Sequence, residues 1–453
     1  MARAKKETAL TPEERLQAAL VPDWEWPYKL PENWCWTNWG ECGEFVAGSG
    51  FKNEYQGFTN YDIPFYKVSS LKTANETGYL CDNTNTVDET VRKKLKAALI
   101  PANSLLFAKI GEAIRLNRRA INTVPCCVDN NMMAFIPIIC QLKYAFYWSK
   151  GIDLYDFTNA TTVPAIRKTD LEKISFPLAP LAEQQRIVDR IESLFAKLDK
   201  AKEKAQAVVD SFETRKAAIL HKAFTGELTK KWRKSANTRW VYKKIKDCCK
   251  LGSGGTPSRK VPDFYKGDIP WIKTGEIEWN DIYDTEEKIT QSAIDNSSAR
   301  CYKPGVVLVA MYGMGVTRGK ASILRVQAAT NQAVCVLEPQ SALLYNRYLL
   351  YYFMRNYWDI REKAVGGNQL NLSLTIIKEL NIEIPPIDEQ VEIVQILDDL
   401  FAKEQQTKEA AEAVLDQIDL MKKSILARAF RGELGTNDPS EESAVELLKR
   451  TIL

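Results

Sequence analysis

The stretch Pro180-Leu-Ala-Glu-Gln-Gln-Arg-Ile-Val188 returns in altered form 206 residues later, as Pro386-Ile-Asp-Glu-Gln-Val-Glu-Ile-Val394. The same offset, kept without a gap, aligns the Ala-Phe-x-Gly-Glu-Leu segment at Ala223 with the one at Ala429. Between residues 180–228 and 386–434, 23 of 49 positions are identical. Self-similarity at a fixed period is the signature of a repeated fold, so the sequence predicts a tandem repeat.

The offset also reaches backwards, into less similar sequence. Trp34 aligns with Trp240 at 206 residues, whereas Gly111 aligns with Gly313 at 202, so the copies drift by a few residues between anchors. Each half of the chain therefore has a variable globular part followed by a segment that the two copies share.

The shared segments have the pattern of long helices. Apolar residues recur at alternating steps of four and three, which is typical of a heptad seam, and neither segment contains an internal Pro or Gly. Pro180 and Pro386 mark the starts, and Gly226 and Gly432 follow the ends, where a left-handed cap is common. At about 40 residues each helix would be roughly 60 Å long. We expect the two helices to pair with each other through Ile187, Ile191, Leu194, Leu198, Val208, Phe212, Ile393, Leu397, Leu400, Val414, Ile418 and Met421.

The fold class that follows is mixed α/β, or α+β: two globular recognition domains separated by two long antiparallel coiled-coil helices in a pseudo-twofold tandem repeat. Strands are predicted at 104–108, 305–310, 321–326 and 333–337, and a helix at 345–361. Thr11, Pro12 and Glu14 form a predicted capping box for a short helix, and Asp438-Pro439 can start a terminal one. The predicted segments are an N-terminal helical extension (1–29), the first globular domain (30–179), the central long helix (180–228), a linker (229–238), the second globular domain (239–385), the distal long helix (386–434) and a C-terminal helical tail (435–453).

Composition excludes several classes of protein. With 45% hydrophobic and 26% charged residues the chain is globular, and no apolar run reaches the 18 to 20 residues, roughly, that a spanning helix needs. Without a secretory signal, we expect a cytoplasmic protein. Ten cysteines occur without any Cys-x-x-Cys pair, which favours reduced structural thiols over zinc. His221 is the single histidine, so a histidine-based triad or metal site is nearly excluded.

Motifs that resemble catalytic signatures fail in detail. Gly313 to Lys320 looks like a phosphate loop, but Ala321 stands where a Ser or Thr would hold magnesium, and a strand pattern follows. A loose set of carboxylates plus Lys288 resembles a nuclease pattern, but the other copy lacks it. We therefore expect no catalytic residues and no metal or cofactor bound by this chain.

Polar loops in the variable parts are of a different kind, because their side chains are those that read base edges and phosphates. One such residue alone is most often a solvated loop, but these recur at comparable places in two copies. The first copy offers Lys67, Ser69, Ser70, Lys109, Asn117, Arg118, Arg119, Asn130 and Asn131. The second offers Ser253, Gly254, Gly255, Thr256, Ser258, Arg259, Lys260, Lys273, Thr274, Glu276, Tyr312, Arg318, Lys320, Asn331, Gln332, Asn368 and Gln369.

Together these motifs resemble the specificity (S) subunit of type I restriction–modification systems over nearly the whole chain. The paired helix starts and ends carry the resemblance, together with Gly254-Gly-Thr-Pro257, Ile269-Pro-Trp-Ile-Lys-Thr-Gly-Glu-Ile277 and Thr330-Asn-Gln-Ala333. The first copy is more diverged, with Thr161-Thr-Val-Pro164 in place of Gly366-Gly-Asn-Gln369.

The resemblance implies a role. In that family each recognition domain reads half of a split, asymmetric DNA site, and the paired helices set the spacer. Two adenine methyltransferase subunits, which use S-adenosylmethionine, dock on the helices, and restriction subunits driven by ATP and Mg join them. A different interpretation is a repeat coiled-coil scaffold that binds proteins only, and a third is an enzyme acting alone. The donor-rich loops argue against the former, and the missing catalytic motifs argue against the latter.

Overall fold

The computed structural model describes residues 11–75, 77–80, 82–159, 163–236, 238–313, 315–365 and 371–452. The chain divides into two compact units. Unit 1 comprises Met1–Lys204 together with Val414–Leu453, and unit 2 comprises Ala205–Ala413. Each unit has mixed α/β structure, so the predicted class is confirmed at that level.

Unit 1 contains a four-stranded sheet ordered β2-β8-β5-β6, a three-stranded sheet ordered β4-β3-β7, and the pair β1-β9. Short helices α1 to α4 lie between the strands. The elements are α1 (Pro12–Ala19), β1 (Cys35–Asn38), β2 (Gly43–Ala47), β3 (Ile63–Tyr66), β4 (Thr86–Val87), α2 (Glu89–Lys94), β5 (Leu105–Ala108), β6 (Arg119–Ile121), β7 (Cys127–Val128), β8 (Met132–Pro137), α3 (Leu142–Gly151), α4 (Lys168–Glu172) and β9 (Ser175–Leu178).

Three helices follow in the chain: α5 (Leu181–Asp210), α6 (Phe212–Phe224) and α7 (Lys230–Ala236). Unit 2 then builds sheets ordered β11-β19-β16-β17-β13 and β14-β12-β18-β15, and the pair β10-β20. Its elements are β10 (Val241–Lys244), α8 (Ile245–Cys248), β11 (Cys249–Ser253), β12 (Ile269–Ile272), β13 (Asp281–Ile282), β14 (Lys288–Ile289), α9 (Gln291–Asp295), β15 (Cys301–Tyr302), β16 (Val307–Ala310), β17 (Ala321–Leu324), β18 (Ala328–Thr330), β19 (Val334–Pro339), α10 (Asn346–Arg355), α11 (Tyr357–Glu362), α12 (Leu374–Lys378) and β20 (Asn381–Ile384). The chain closes with α13 (Ile387–Ala429) and α14 (Ala444–Ile452).

The two units repeat the same strand pairings in the same register. Cys35 pairs with Leu178 in unit 1, and Val241 pairs with Ile384 in unit 2, an offset of 206 on both sides. Strand β5 pairs antiparallel with both β6 and β8, and β16 does the same with β17 and β19. The parallel pair β3-β7 corresponds to β12-β18. The sequence repeat is thus a repeat of backbone topology.

Buried polar side chains explain the Glu-Gln motif at each long helix start. Gln184 is fully buried, accepts the Gln141 N–H at 2.7 Å and donates to the Ala179 carbonyl. Gln390 repeats this, accepting the Tyr345 N–H at 2.8 Å and donating to Pro385. Because a buried amide must have its hydrogen bonds satisfied, the motif fastens each helix to its own globular part.

The far ends of the helices pack equally specifically. Phe430 lies against Tyr144 in unit 1, with ring centroids 5.1 Å apart, and Phe224 lies against Tyr348 in unit 2 at 4.8 Å. A glycine with positive φ follows within three residues of each end, at +73° for Gly226 and +74° for Gly432. These are the predicted left-handed caps.

The first long helix is divided, where the sequence predicted one helix over 180–228. Helix α5 ends at Asp210 and α6 starts at Phe212, with Ser211 between them. The Ser211 hydroxyl donates to the Ala207 carbonyl at 2.5 Å, and the Arg215 guanidinium donates to the Val208 carbonyl at 3.1 Å. Side chains that bond to helical carbonyls locally loosen the backbone ladder, which accounts for the break.

Within each unit, the segments of the two long helices run antiparallel. In unit 1 Asp199 pairs with Lys422, and Lys202 lies 4.0 Å from Asp419. In unit 2 Arg215 pairs with Glu404 at 2.7 Å, and Lys408 lies over the Phe212 ring. In each unit, the residue number on the second long helix falls as that of its partner on the first rises, which is the antiparallel order.

The seam differs from prediction at two positions. Val414 and Met421 are 41% and 47% exposed, whereas Ile418 is buried as predicted, Ala411 is also buried and Leu415 is half-buried. After Ala411 and after Ile418, the next residue that faces the seam lies four positions further along the chain, whereas the sequence predicts three. The other predicted seam positions are buried or half-buried: Ile187, Ile191, Leu194, Leu198, Val208, Phe212, Ile393, Leu397 and Leu400.

Smaller elements show what capping and helix-breaking residues in a sequence can and cannot predict. Helix α1 has the predicted capping box, with Thr11 and Glu14 bonded to each other's backbone N–H. The predicted helix at 345–361 is interrupted at Asn356. Part of the predicted linker forms α7, and the terminal helix starts at Ala444 because Asp438 instead caps a turn through the Ser440 N–H.

Other features concern classes of protein excluded above. Among the described residues, no helix is long and apolar enough to cross a bilayer, and no cluster of His, Cys, Asp or Glu could hold a metal ion. None of the nine described cysteines forms a disulfide. Burial raises the pKa of most of their thiols, and the pKa of Cys35 reaches about 12.

Candidate nucleic-acid interface

The loop after β11 in unit 2 approaches a neighbouring strand closely. A Cβ at Gly254 would lie 1.7 Å from the Thr330 carbonyl oxygen, and the Gly255 N–H donates to that oxygen at 2.9 Å. The Gly255 carbonyl accepts the Trp271 indole N–H at 3.0 Å. The two glycines are therefore buried structural residues, and Ser253 is half-buried. They fix the base of a loop whose exposed residues are Thr256, Ser258, Arg259 and Lys260.

Arg259 is the most constrained of these exposed side chains. Its Nη2 donates to Glu287 Oε2 at 2.6 Å, and its guanidinium lies 4.0 Å from the Tyr265 ring centroid. The Tyr265 hydroxyl donates in turn to the Pro257 carbonyl at 2.6 Å. The hydrogen bond with Arg259 lowers the pKa of Glu287 and raises that of Arg259, so both groups stay charged at neutral pH.

Lys273 joins the same cluster from the end of β12. Its Nζ lies 3.6 Å from Glu286 and 3.7 Å from Glu287. Glu276 accepts the backbone N–H groups of Lys273 and Glu286, so this predicted contact residue holds a turn in place. Thr274 is half-buried in that turn.

The loop between β16 and β17 carries three further candidates of unit 2, which are Tyr312, Arg318 and Lys320. Tyr312 is exposed, and Lys320 is ion-paired with Glu278. Arg361 donates to the Arg318 and Gly315 carbonyls, each at 2.5 Å, and thereby holds the loop.

After β18, Asn331 caps its own turn through the Ala333 N–H at 3.1 Å, whereas the neighbouring Gln332 is exposed and bonded to Thr256. The structure thus brings Thr256, Arg259, Lys273 and Gln332 to one surface. The predicted contacts Asn368 and Gln369 lie outside the described residues.

Unit 1 places a different set at the matching position. Lys67, 206 residues before Lys273, donates from Nζ to Gln56 Oε1 at 2.8 Å. Gln56 in turn donates to Asn53 at 3.2 Å. Asp129 lies near both Lys67 and Lys109, and burial raises the pKa of Asp129 and lowers that of Lys109.

Exposed polar residues complete this side of unit 1: Ser69, Arg118 and Asn130. Asn131 is half-buried and donates its backbone N–H to Asp129 at 3.0 Å.

Two residues of unit 1 that the sequence predicts as DNA contacts lie in the interior of the unit, so these two predictions are wrong. Ser70 is 1% exposed, and its hydroxyl accepts the Lys67 N–H at 3.1 Å. Arg119 is buried, donates to Asn117 Oδ1 at 2.7 Å and to the Ser149 carbonyl, and has its pKa lowered to about 9 by burial. Asn117 is occupied in the same network, since its amide also donates to the Ile152 carbonyl.

Sequence reasoning missed the residues that hold the contacts in place. Glu287 reaches Arg259 because β14 pairs with β12, and Gln56 reaches Lys67, which lies eleven residues further along the chain at the end of β3. Neither lies at a motif or at a repeat anchor. Tyr265 could have been found, because an aromatic six residues after an exposed arginine in a Gly-rich loop is a candidate for stacking.

Comparison with known proteins agrees with this architecture. The family described as "Type I restriction modification DNA specificity domain" matches twice, over residues 31–208 and 237–415. The specificity subunit of the Type I restriction enzyme EcoDI of Escherichia coli is 21% identical over 66% of this chain and 71% of its own length. That of MjaIX, from Methanocaldococcus jannaschii, is 29% identical over 39% of this chain and 41% of its own. For EcoKI of E. coli the values are 26%, 59% and 60%.

Solved structures share the fold. The HsdS subunit from Thermoanaerobacter tengcongensis superposes with a TM-score of 0.63 at 18% identity, over 90% of this chain and all of that one. A chain from a study of complex assembly and conformational transition of the type I R-M system gives 0.60 at 17% identity, with the same coverage. Because the family matches most of the sequence in two copies, this chain belongs to the type I restriction–modification DNA specificity family and is a sequence-specificity subunit.

Proposed function

We propose that the globular parts of the two units each read one half of a bipartite, asymmetric site in double-stranded DNA. In this proposal the long helices set the spacer between the half-sites, in a pseudo-twofold arrangement. Two adenine methyltransferase subunits bind beside the helices, restriction subunits join them, and the assembly works in the cytoplasm. S-adenosylmethionine, ATP and Mg belong to those partners, and this chain contributes recognition without a catalytic group.

The observation that carries this proposal is a constant frame with variable side chains. Strand pairings agree between the units residue by residue. At the matching surface, however, unit 1 has Asn53, Gln56 and Lys67, whereas unit 2 has Arg259 and Glu287 beside Lys273. Since donor and acceptor patterns specify bases, identical frames with different surface chemistry suit two different half-sites.

The antiparallel helix segments support the proposed spacer. Duplex DNA has dyad axes, and two equivalent readers related by a twofold axis can face opposite strands of one duplex. Antiparallel packing in both units is the arrangement that such an axis requires of the helices. Helix length then fixes the separation at about 1.5 Å per residue.

Matching aromatic pairs support the docking of two modification subunits. In unit 1 the Tyr147 and Phe195 rings meet edge to face at 5.8 Å, with Lys422 over Phe195 at 5.1 Å. In unit 2 Tyr351 and Phe401 meet at 5.6 Å, with Lys216 over Phe401 at 5.5 Å.

The unit 1 groove has a volume of about 740 Å³ and is also lined by Lys150, Asp199 and Glu203. An aromatic floor with a charged rim is typical of a protein contact. The same aromatic pair with a lysine over it in each unit suits two copies of the same partner.

Methylation mapping tests the proposal. In the native cell, genome-wide adenine methylation should include one bipartite motif with two different halves, which disappears when the gene for this chain is deleted. It should return when the intact gene is restored. Methylation that is unchanged by the deletion, or a motif without two separated halves, would contradict the proposal.

A further inference from the structure

The Arg259 side chain of unit 2 is held in place yet keeps most of its hydrogen-bonding capacity. A guanidinium has five N–H donors in a fixed plane. One of them, on Nη2, goes to Glu287, and no second acceptor for Arg259 occurs among the described residues. The side chain is 54% exposed, and the Tyr265 ring lies against one face of its plane. An arginine held by these contacts has less rotamer entropy to lose when a ligand binds.

Glu287 decides what kind of ligand Arg259 suits. Its carboxylate lies 2.6 Å from Arg259 and 3.7 Å from Lys273, so it offsets one of the two positive charges. A phosphate would be repelled by that carboxylate, whereas the neutral acceptor edge of a base would not. Arginine matches guanine, since its two N–H groups reach O6 and N7 in the major groove together.

The surroundings of Arg259 also fit contact with a base. Thr256 and Gln332, bonded to each other, are exposed on the same loop cluster, and Gly254 lies packed beneath it. Hydroxyl and amide groups next to a held arginine provide the mixed donors and acceptors that direct readout uses.

We propose that Arg259 reads a guanine in the half-site of unit 2, and that Glu287 and Tyr265 are positioning residues for it. This inference rests on the proposed function and adds the identity of one base. Unit 1 has Asn53 at the equivalent position, 206 residues earlier, and no guanidinium clamp there. The guanine contact therefore belongs to one half-site only.

A chemical probe tests the contact in the complex of this chain with its modification subunits. In a duplex that carries the mapped site, 7-deazaguanine removes the N7 acceptor of one guanine at a time. One such replacement in the unit 2 half-site should weaken binding by the wild-type complex roughly tenfold, the size expected for part of a bidentate contact. The Arg259→Ala complex, which lacks the guanidinium, should bind both duplexes equally.

Two further variants separate reading from charge and folding. Lys266→Gln removes an exposed positive charge from the same unit, where Lys266 pairs with Asp263, and should leave discrimination unchanged. Glu287→Gln removes a repelling carboxylate, so it should strengthen binding to DNA without the site while lowering discrimination at the guanine. A misfolded unit would not change these two quantities in opposite directions.

The outcomes distinguish this inference from the function beneath it. If the unit 2 half-site contains no guanine, or if 7-deazaguanine weakens binding equally for the wild-type and Arg259→Ala complexes, the inference is wrong although the bipartite site stands. If Arg259→Gln weakens binding uniformly and lowers the salt dependence by about one ion, Arg259 contacts phosphate and the inference is also wrong. Absence of any defined motif would instead defeat the proposed function.

Discussion

The matched surfaces of the two units differ in chemistry although their backbones agree. In unit 1 Lys67 is bonded to the neutral amide of Gln56, whereas in unit 2 the equivalent Lys273 lies beside Glu286 and Glu287. Both lysines follow equivalent strands, β3 and β12, in parallel pairs of the same register. The difference shows that equivalent backbone positions of the two units carry different neighbouring side chains.

Exchange of a whole recognition part should produce the largest change. If residues 34–179 are replaced by a second copy of 240–385, both half-sites should become the one that unit 2 reads, giving an inverted repeat. The exchange should fold because the inserted part meets equivalent neighbours, such as Gln184 for Gln390 and Phe430 for Phe224. Methylation mapping of the variant complex checks this.

The reciprocal exchange is the matched control, and it should give an inverted repeat of the unit 1 half-site. If the complex with the exchanged chain still methylates the original asymmetric motif, recognition does not reside in residues 34–179. The comparison between the units would then have no meaning for function.

The sequence predicted what depends on periodicity and local chemistry. The helix caps at Gly226 and Gly432 and the capping box at Thr11 follow from short-range patterns and are confirmed. The 206-residue offset follows from the repeat and recurs in the register of β1-β9 and β10-β20. The sequence also predicts the Gly-rich loop as a polar contact loop. Its glycines instead serve a close backbone approach at Thr330.

What the sequence could not predict depends on contacts distant in the chain. Arg119 resembles a DNA contact in sequence, but its position on β6 turns it into the interior. In the distal helix, Glu404 is a charged residue among the apolar seam positions. It lies in the seam, half-buried and paired with Arg215, and the inward positions after it step by four and then three. A charged seam residue is not distinguishable from a surface residue until its partner is known.

The close backbone approach offers a second, smaller test of the match between the units. A Cβ at Gly254 would lie 1.7 Å from the Thr330 carbonyl oxygen, and one at Gly48, the equivalent glycine of unit 1, would lie 1.8 Å from that of Asp129. Because backbone atoms cannot rotate away, Gly254→Ala and Gly48→Ala should each lower the free energy of unfolding by about 2–3 kcal/mol. Urea unfolding followed by circular dichroism measures the effect.

Matched glycines in the same regions serve as controls. Gly50 and Gly275 have nothing within 4 Å of the added methyl group, so alanine there should change stability by less than about 0.5 kcal/mol. Equal effects at Gly254 and Gly275 would mean that the approach is not tight, and that this feature of the shared frame carries no energetic weight.

The smallest expected effect concerns the charges in the helix seam. In unit 2 the pair Arg215–Glu404 is 2.7 Å long and its side chains are 31% and 23% exposed, whereas the Lys202–Asp419 pair of unit 1 is 4.0 Å long and well exposed. Ion pairs withdrawn from water are costly to leave unpaired, and exposed ones contribute little. The two pairs, which share helix α13, therefore compare a partly buried ion pair with an exposed one.

Charge reversal separates the two cases. Arg215→Glu should destabilise the chain by about 1–2 kcal/mol, since it places two carboxylates together and also loses the bond to the Val208 carbonyl. Adding Glu404→Arg should recover only the pair's share, so a double-mutant cycle should give a coupling free energy near 1 kcal/mol. Lys202→Glu should cost less than about 0.5 kcal/mol. Zero coupling between Arg215 and Glu404 would indicate that apolar seam residues such as Ile418 and Leu397 set the helix register without help from charge.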